Sequence, residues 1–172
     1  MSLITDDLLL KLWEKAQEQS SDARASAKLW NHLWGKHFFS ETNWVLSQKT
    51  VENGDRQRVD ITIERMGEDG NLTVVVFHEA NALEAVPKEV QKAEGRVYDA
   101  CMRYLGENPG LQFAYAFTSS GSKGKAWRCV RGGDRLLLLF EDHSQYVEVH
   151  SQEGEIIKRA AQEMRLPIAT LP

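Results

Sequence analysis

The fold is decided by a predicted β-hairpin whose sequence is Arg58-Val-Asp-Ile-Thr-Ile-Glu-Arg-Met66, Gly67-Glu-Asp-Gly-Asn71 and Leu72-Thr-Val-Val-Val-Phe-His-Glu-Ala-Asn81. The dipeptide Asp69-Gly70 lies between two runs rich in β-branched residues, which is a strong hairpin signal. A turn centred on this dipeptide pairs Asp60 directly with Glu79. Because side chains alternate along a strand, Asn81 is expected on the same face as these two carboxylates.

The predicted pair of carboxylates requires a compensating charge, since like charges directly opposite each other destabilise a sheet. A divalent cation is the first candidate, because Mg²⁺ prefers one or two carboxylates together with water and phosphate oxygens. The alternative is that Asp60 is a solvated strand residue and Glu79 a surface charge. The apolar run from Val74 to Phe77 weighs against it, because such a run is typical of a central strand covered on both faces. A glutamate at the end of that strand rarely serves packing.

The bulk properties set limits on the class of protein. The chain has 172 residues, 42% of them hydrophobic, and a formal net charge of −4, which fits a single globular domain over residues 1–172. The absence of an overall basic charge counts against a dedicated DNA-binding module. Cys101 and Cys129 have no metal or redox spacing and are expected to be reduced and buried. With no signal peptide or membrane-length apolar stretch, we expect an intracellular protein, cytoplasmic or nuclear, without a membrane partner.

The pattern of elements predicts an α/β fold, with a mixed central sheet flanked by helices in the order α-α-β-β-β-α-β-β-β-α. Thr5 is expected to cap the first helix, and Ser20-Ser21-Asp22 separates it from the second. Pro87 suits the first turn of the longest helix and Gly106 its end. The predicted helices are 6–19, a second one after 22, 83–105 and 153–165; the strands are 43–51, the two of the hairpin, 113–118, 126–131 and 135–140, with a polar loop at 119–125.

This order, with an acid on the second strand and a Glu-x-Lys-like motif on the third, resembles the restriction-endonuclease-like core, or PD-(D/E)XK nuclease superfamily. The matching residues are Arg58-Val59-Asp60 and Glu79-Ala80-Asn81. The region from Val90 through Phe140 also looks like a fungal group of such domains. Its matching pieces are Val97-Tyr-Asp-Ala-Cys-Met-Arg-Tyr-Leu105, Phe113-Ala-Tyr-Ala-Phe-Thr118, Lys125-Ala-Trp-Arg128 and Leu136-Leu-Leu-Leu-Phe140.

The resemblance implies metal-dependent phosphodiester hydrolysis. It implies that Asp60 and Glu79 ligate Mg²⁺ or Mn²⁺, with the Ala80 carbonyl as a further oxygen ligand, and that the metal lowers the pKa of a bound water. Asn81 stands where the superfamily has its lysine, and an uncharged amide cannot accept the proton of that water. An acid from the opening helices, Glu14 or Glu18, is a candidate to complete the metal shell.

Three outcomes of the lysine substitution stay open. Lys88 or Lys92, near the start of the long helix, could reach back toward the end of the third strand, although their shared face is also expected to be solvated. Asn81 could suffice together with a second metal ion. Alternatively, catalysis is lost and the site binds without cutting.

Basic residues after the fourth strand are candidates for contacts with a nucleic-acid backbone, namely Lys123, Lys125 and Arg128. A solvated basic hairpin is an equally good interpretation of them. His78 is expected to be packed or hydrogen-bonded, because strand alternation points it away from Glu79.

The sequence therefore predicts a divergent nuclease-like domain. It is either a Mg²⁺- or Mn²⁺-dependent nuclease or a catalytically inactive domain that binds nucleic acid, with Asp60, Glu79, Asn81 and Lys92 as its site. The alternative is a protein-interaction or scaffold module that keeps the fold.

Overall fold

The computed structural model describes residues 1–53 and 56–168. Its helices and strands follow the predicted order, with one additional short strand near the end. They are α1 (Asp7–Glu18), α2 (Ala23–His32), a π-helical segment (Leu33–Phe38), β1 (Trp44–Asn53), β2 (Arg56–Met66), β3 (Leu72–Asn81), α3 (Pro87–Glu107), β4 (Phe113–Ser120), β5 (Lys123–Val130), β6 (Leu137–Leu138), β7 (Val147–Glu148) and α4 (Gly154–Met164). Among the described residues, no helix is long and apolar enough to cross a membrane.

The described strands form one mixed sheet in the order β1-β2-β3-β4-β5-β6, with β7 also paired to β5. Only β3 and β4 are parallel in this part of the chain, and α3 is the crossover between them. The other pairs are antiparallel. The predicted α/β class with a mixed sheet is confirmed at this level.

Helices cover both faces of the centre of the sheet. On one face α3 buries Val97, Cys101 and Leu105 against Ala114 and Trp127. On the other face, α1, α2 and α4 contribute to a larger core that includes Leu9, Leu29, Trp30, Trp34, Val76, Phe117, Ile157 and Met164. The predicted coverage of the third strand on both faces is therefore confirmed, and so is the burial of both cysteines as free thiols.

Several predicted boundaries shift for local reasons. Asp6 rather than Thr5 caps α1, accepting a hydrogen bond from the Leu9 N–H at 2.9 Å. α3 begins at Pro87, four residues later than predicted, with Val86 in extended conformation before it, as is usual for a residue that precedes proline. Gly106 lies inside the last turn, and the C-cap is residue 108.

The segment predicted as a polar loop, 119–125, is instead a tight hairpin between β4 and β5. Gly121 adopts a positive φ of 58° and forms the turn with Ser122. Gly124 is required by packing, since a Cβ there would lie 2.3 Å from the Phe117 ring. Gly121 is therefore needed for the turn and Gly124 for packing in the core. The predicted strand 135–140 is shorter in the structure and covers only Leu137–Leu138.

Candidate functional site

The predicted pairing of Asp60 with Glu79 is confirmed, although the turn differs from the predicted one. The tip of the hairpin is a five-residue loop in which only Gly70 has a positive φ, and its register is one residue away from that of a turn centred on Asp69-Gly70. A β-bulge at Val75 inserts one residue into β3 and restores the predicted pairing beyond it. Asp60 and Glu79 are thus direct partners on the α3 face of the sheet.

The Glu79 carboxylate is buried and held by a guanidinium. Glu79 is only 2% exposed. The Arg96 Nε donates to its two oxygens at 3.0 and 3.2 Å, and the Arg96 Nη2 donates to Oε1. The hydrogen bond to Glu79 raises the pKa of Arg96. Arg96 comes from the third turn of α3, so the helix supplies the charge that the carboxylate needs.

A second arginine, Arg58, forms an ion pair with the Asp60 carboxylate. The Nε of Arg58 lies 3.3 Å from Oδ1 of Asp60 and 3.8 Å from Oε2 of Glu79. Two acids and two arginines therefore form one compact cluster, and we call Arg58, Asp60, Glu79 and Arg96 the carboxylate–arginine cluster. The two arginine side chains supply the positive charge that the sequence analysis required to compensate the paired carboxylates.

Asn81 joins this cluster as a weak donor. Its side-chain nitrogen lies 3.4 Å from Oε1 of Glu79, and the residue is buried. Lys92 is exposed, as the solvated-face interpretation expects, but it also lines the same hollow as Asn81 and Arg96. Lys88 is exposed and lines neither of the two hollows beside the cluster.

The opening helices bring no acid to the cluster. Glu14 forms an ion pair with Lys11 at 3.4 Å on α1, and Glu18 lies exposed near the end of that helix. Helix α1 packs mainly on α2, and the larger core lies between these helices and the sheet. The structure therefore leaves both acids apart from the Asp60–Glu79 pair.

The donors present do not fit a divalent metal in this arrangement. Both oxygens of Glu79 already accept hydrogen bonds from Arg96, and Asp60 is paired with Arg58. Ala80 is buried within the ladder, paired with residues 59 and 119. No group of three or more His, Cys, Asp or Glu side chains suited to a metal occurs among residues 1–53 and 56–168.

Two hollows flank the cluster. One, of about 250 Å³, is lined by Arg58, Asn81, Lys92 and Arg96 together with Glu84 and Glu89. The other, of about 350 Å³, is lined by the whole carboxylate–arginine cluster together with Asp99 and Arg103. Arg58 and Arg96 line both hollows, so the two arginines separate neighbouring parts of one cleft beside α3.

The basic residues after β4 do not form one surface. Lys123 and Lys125 pair with Ser120 and Thr118 on the α3 face of the sheet, whereas Arg128 alternates to the other face. Arg128 lies 4.8 Å from the Phe113 ring centroid and 3.7 Å from the carboxylate of Glu163. Contact of these three residues with nucleic acid stays a prediction, and the structure divides them between two faces of the sheet.

A polar network that the sequence analysis missed lies next to the cluster. The Tyr146 hydroxyl donates to Glu94 at 2.9 Å and lies 2.7 Å from the Thr118 hydroxyl. Thr118 is the direct neighbour of Glu79 on β4. The ammonium of Lys125 stacks over the Trp127 ring, with its nitrogen 4.1 Å from the ring centroid. Through this network the carboxylate of Glu94, on α3, is tied to β4 by way of Tyr146 and Thr118.

His78 lies on the opposite face, as predicted. Its ring is fully buried, accepts a hydrogen bond from Nε1 of Trp34 at 3.0 Å and is 2.8 Å from the Ser119 hydroxyl. Burial lowers the pKa of His78 to about 3. A neutral imidazole at this position belongs to the core rather than to the site.

Comparison of the chain with protein-family models, with curated proteins and with solved structures gave no match.

Proposed function

We propose that this chain is a divergent restriction-endonuclease-like domain that binds the phosphate backbone of a nucleic acid without hydrolysing it. The order of elements supports the fold assignment: opening helices, a three-stranded antiparallel meander, the long crossover helix α3 and the parallel strand β4. The pairing of Asp60 on β2 with Glu79 near the end of β3 is a second observation in support of the assignment.

The absence of hydrolysis is inferred mainly from the hydrogen bonds that Arg96 donates to both oxygens of Glu79. Phosphodiester hydrolysis in this superfamily depends on a metal-bound water whose pKa the metal lowers. A metal ion at this carboxylate would have to lie beside the positive charge of the guanidinium that already holds both of its oxygens. Asn81, in the place of the lysine, has an amide that cannot accept a proton from water.

Binding is supported by the cations around the cleft. Arg58, Lys92, Arg96 and Arg103 line its two hollows. Arginine and lysine are the usual partners of phosphate oxygens, and arginine forms bidentate contacts with them. The acids of the same cleft and the net charge of −4 oppose binding, so we expect a weak and strongly salt-dependent complex.

The binding is tested by fluorescence anisotropy with labelled single- and double-stranded DNA and RNA at about 50 mM and about 200 mM salt. We expect affinity to fall with salt, and Lys92→Ala and Arg103→Ala each to reduce the salt slope by about one. Lys11→Ala, which removes an exposed lysine of α1, is the matched control and should leave binding unchanged. No binding to any of the four probes, or equal effects of all three variants, would refute the proposal.

The absence of hydrolysis is tested with the same nucleic acids in Mg²⁺ and in Mn²⁺. We expect no cleavage by the wild-type protein. Cleavage that requires metal and disappears in Asp60→Ala, with the fold of the variant verified by circular dichroism, would show an active nuclease and overturn this part of the proposal.

A second candidate function is self-association as an interaction module, favoured by the edge strand β1. β1 is ten residues long, lies at the edge of the sheet, and is exposed on both faces from Ser47 to Thr50. Antiparallel pairing of two copies centred on Gln48 would continue the sheet and bring no like charges directly opposite each other. A dimer in sedimentation velocity that dissociates in Gln48→Lys would support this function, and a monomer at every concentration would reject it.

A further inference from the structure

The smaller of the two hollows, of about 250 Å³, is bordered by many parts of the chain. Its lining comes from β1, β2, β3, the connection 82–86 and the first three turns of α3, with Ser21 added from the turn before α2. Pockets for drug-sized ligands begin at about 300 Å³, so this hollow suits one small group of a ligand. Arg58 and Arg96 separate it from the larger hollow, and a strand bound in the cleft therefore has a place there for one of its ends.

Three cations border the smaller hollow, and the acids of the cluster do not occupy all of their donors. Arg58 contacts its acids through Nε, at 3.3 Å from Asp60 and 3.8 Å from Glu79, so both terminal guanidinium nitrogens lack an acidic partner in the described part of the chain. Lys92 is exposed and forms no ion pair with the residues described. Arg96 is the third cation, and Glu79 takes its Nε and Nη2. Arg58 and Lys92 are therefore the residues that an anionic ligand would contact.

A buried amide in the same hollow is suited to a hydrogen-bonding group next to the anion. Asn81 is 8% exposed and lines the hollow. Its side-chain nitrogen makes one long hydrogen bond of 3.4 Å to Glu79, and its oxygen accepts none from the described residues. Because buried polar atoms are normally paired, this oxygen is a position for a donor of the ligand, such as a sugar hydroxyl or a base amino group.

The charges of the two hollows favour the smaller one for a highly charged anion. Among the described residues, its lining has three cations and two acids, Glu84 and Glu89. The lining of the larger hollow has three cations and three acids, which include Asp60 and Glu79. A group with more than one negative charge is therefore repelled less in the smaller hollow.

We propose that the smaller hollow binds the terminal phosphomonoester of a nucleic-acid strand, with Arg58 and Lys92 as partners of the phosphate and Asn81 as a partner of the attached nucleoside. This inference rests on the proposed nucleic-acid binding and names the part of the ligand that the hollow takes. A terminal phosphomonoester carries about −1.5 to −2 elementary charges at neutral pH, whereas a phosphodiester within the strand carries about one negative charge. Arginine matches phosphate oxygens with parallel hydrogen bonds, and lysine adds a point charge.

The experiment measures fluorescence anisotropy with short single-stranded DNA and RNA oligonucleotides that carry the label on an internal base. Each sequence is made with a 5′-phosphate, with a 3′-phosphate and with hydroxyls at both ends. We expect one phosphorylated end to raise the affinity at least about tenfold over the hydroxyl ends, because the added charge meets arginine and lysine donors. Adenosine 5′-monophosphate and inorganic phosphate are added as competitors, and we expect each to compete much more weakly than the phosphorylated strand.

Variants separate the smaller hollow from its surroundings. Lys92→Ala should remove most of the preference for the phosphorylated end. Glu84→Gln removes an opposing acid and should increase the preference, a gain that misfolding cannot produce. Lys88→Ala is the matched control, since this lysine is exposed on the same helix and lines neither hollow. Arg103→Ala, in the larger hollow, should weaken the binding of all the oligonucleotides by the same factor.

Equal affinity for phosphorylated and hydroxyl ends would overturn this inference and leave the proposed backbone binding in place. A preference that Lys92→Ala and Lys88→Ala lower equally would overturn it as well. Competition by adenosine 5′-monophosphate as strong as that of the phosphorylated strand would identify a mononucleotide site instead of a strand-end site. If no oligonucleotide binds at all, the proposed function itself is refuted, and this inference with it.

Discussion

Acidification should destabilise this protein through one buried histidine. His78 lies between the rings of Trp30, Trp34 and Phe117, with ring centroids 5.6, 6.0 and 4.9 Å away. The Nε1–H of Trp34 donates to Nδ1 of His78, so the histidine proton must be on Nε2, facing Ser119. Protonation of Nδ1 would set two N–H groups against each other in a dry core, which adds to the cost of burying a charge.

The magnitude follows from the pKa of His78, which burial lowers from 6.5 to about 3. Between these values the unfolded chain binds a proton that the folded protein does not, so stability rises with pH. The contribution of neutral His78 is complete above its unfolded pKa and is lost as the pH falls from 6.5 toward 3. At about pH 5 the loss is about 2 kcal/mol, since each pH unit below the unfolded pKa is worth about 1.4 kcal/mol.

The assay is urea unfolding of the wild-type protein and of His78→Gln at about pH 7.5 and about pH 5. His78→Gln is expected to be less stable than wild type at neutral pH, because a core hydrogen-bond network is disturbed, but to lose about 2 kcal/mol less on acidification. His143→Gln, a partly exposed loop histidine, is the matched control and should follow wild type. If His78→Gln and wild type lose equal stability between the two pH values, the assignment of this pH dependence to His78 is refuted.

Three further outcomes are expected from the geometry. Gly124→Ala should cost about 1–3 kcal/mol in urea unfolding, because its Cβ would overlap the Phe117 ring, and wild-type stability would contradict the described packing. Glu79→Gln should lower the free energy of unfolding by about 3 kcal/mol, because it breaks the ion pair of a buried carboxylate. Asp60→Asn changes a side chain that is 42% exposed and should lower it by less than about 1 kcal/mol. If thermal unfolding ranks the two variants in the opposite order, the roles assigned to the two acids are wrong. The hydrogen bond with the Cys129 thiol, together with burial, raises the pKa of the Cys101 thiol. A thiol reagent should therefore label Cys101 only after the protein unfolds, and rapid labelling of the folded protein would contradict this burial.

Local signals predicted the framework of the fold. The continuous apolar run from Val74 to Phe77 identified β3 as a central strand, and the order of elements was correct except for the short β7 and the π-helical segment. The pairing of Asp60 with Glu79 was predicted for an incomplete reason. The real turn is displaced by one residue, and the bulge at Val75 cancels the displacement. A bulge depends on packing against α2 and the rest of the core, which no local sequence pattern specifies.

The cation partner of Glu79 was beyond the sequence analysis for a similar reason. Arg96 lies 17 residues further along the chain, on a helix whose rotation about its axis is set by the packing of Ala93 and Val97. The available signal was its position one turn after Lys92, next to residues that had to face the sheet. The missed role of Tyr146 had no local signal, because it lies in an irregular segment that tertiary contacts alone bring to Glu94.

The extra residue at Val75 gives the hairpin tolerance to changes in length. Val75 and Val76 are consecutive, yet both enter the same core cluster, which a regular strand does not allow. The ladder beyond them is therefore independent of how the tip is built. In a variant whose loop is one residue shorter or longer, the bulge can disappear or move along the strand. The pairing of Asp60 with Glu79 is then kept. We expect natural relatives of this chain to differ at the hairpin tip more freely than strict strand pairing would permit.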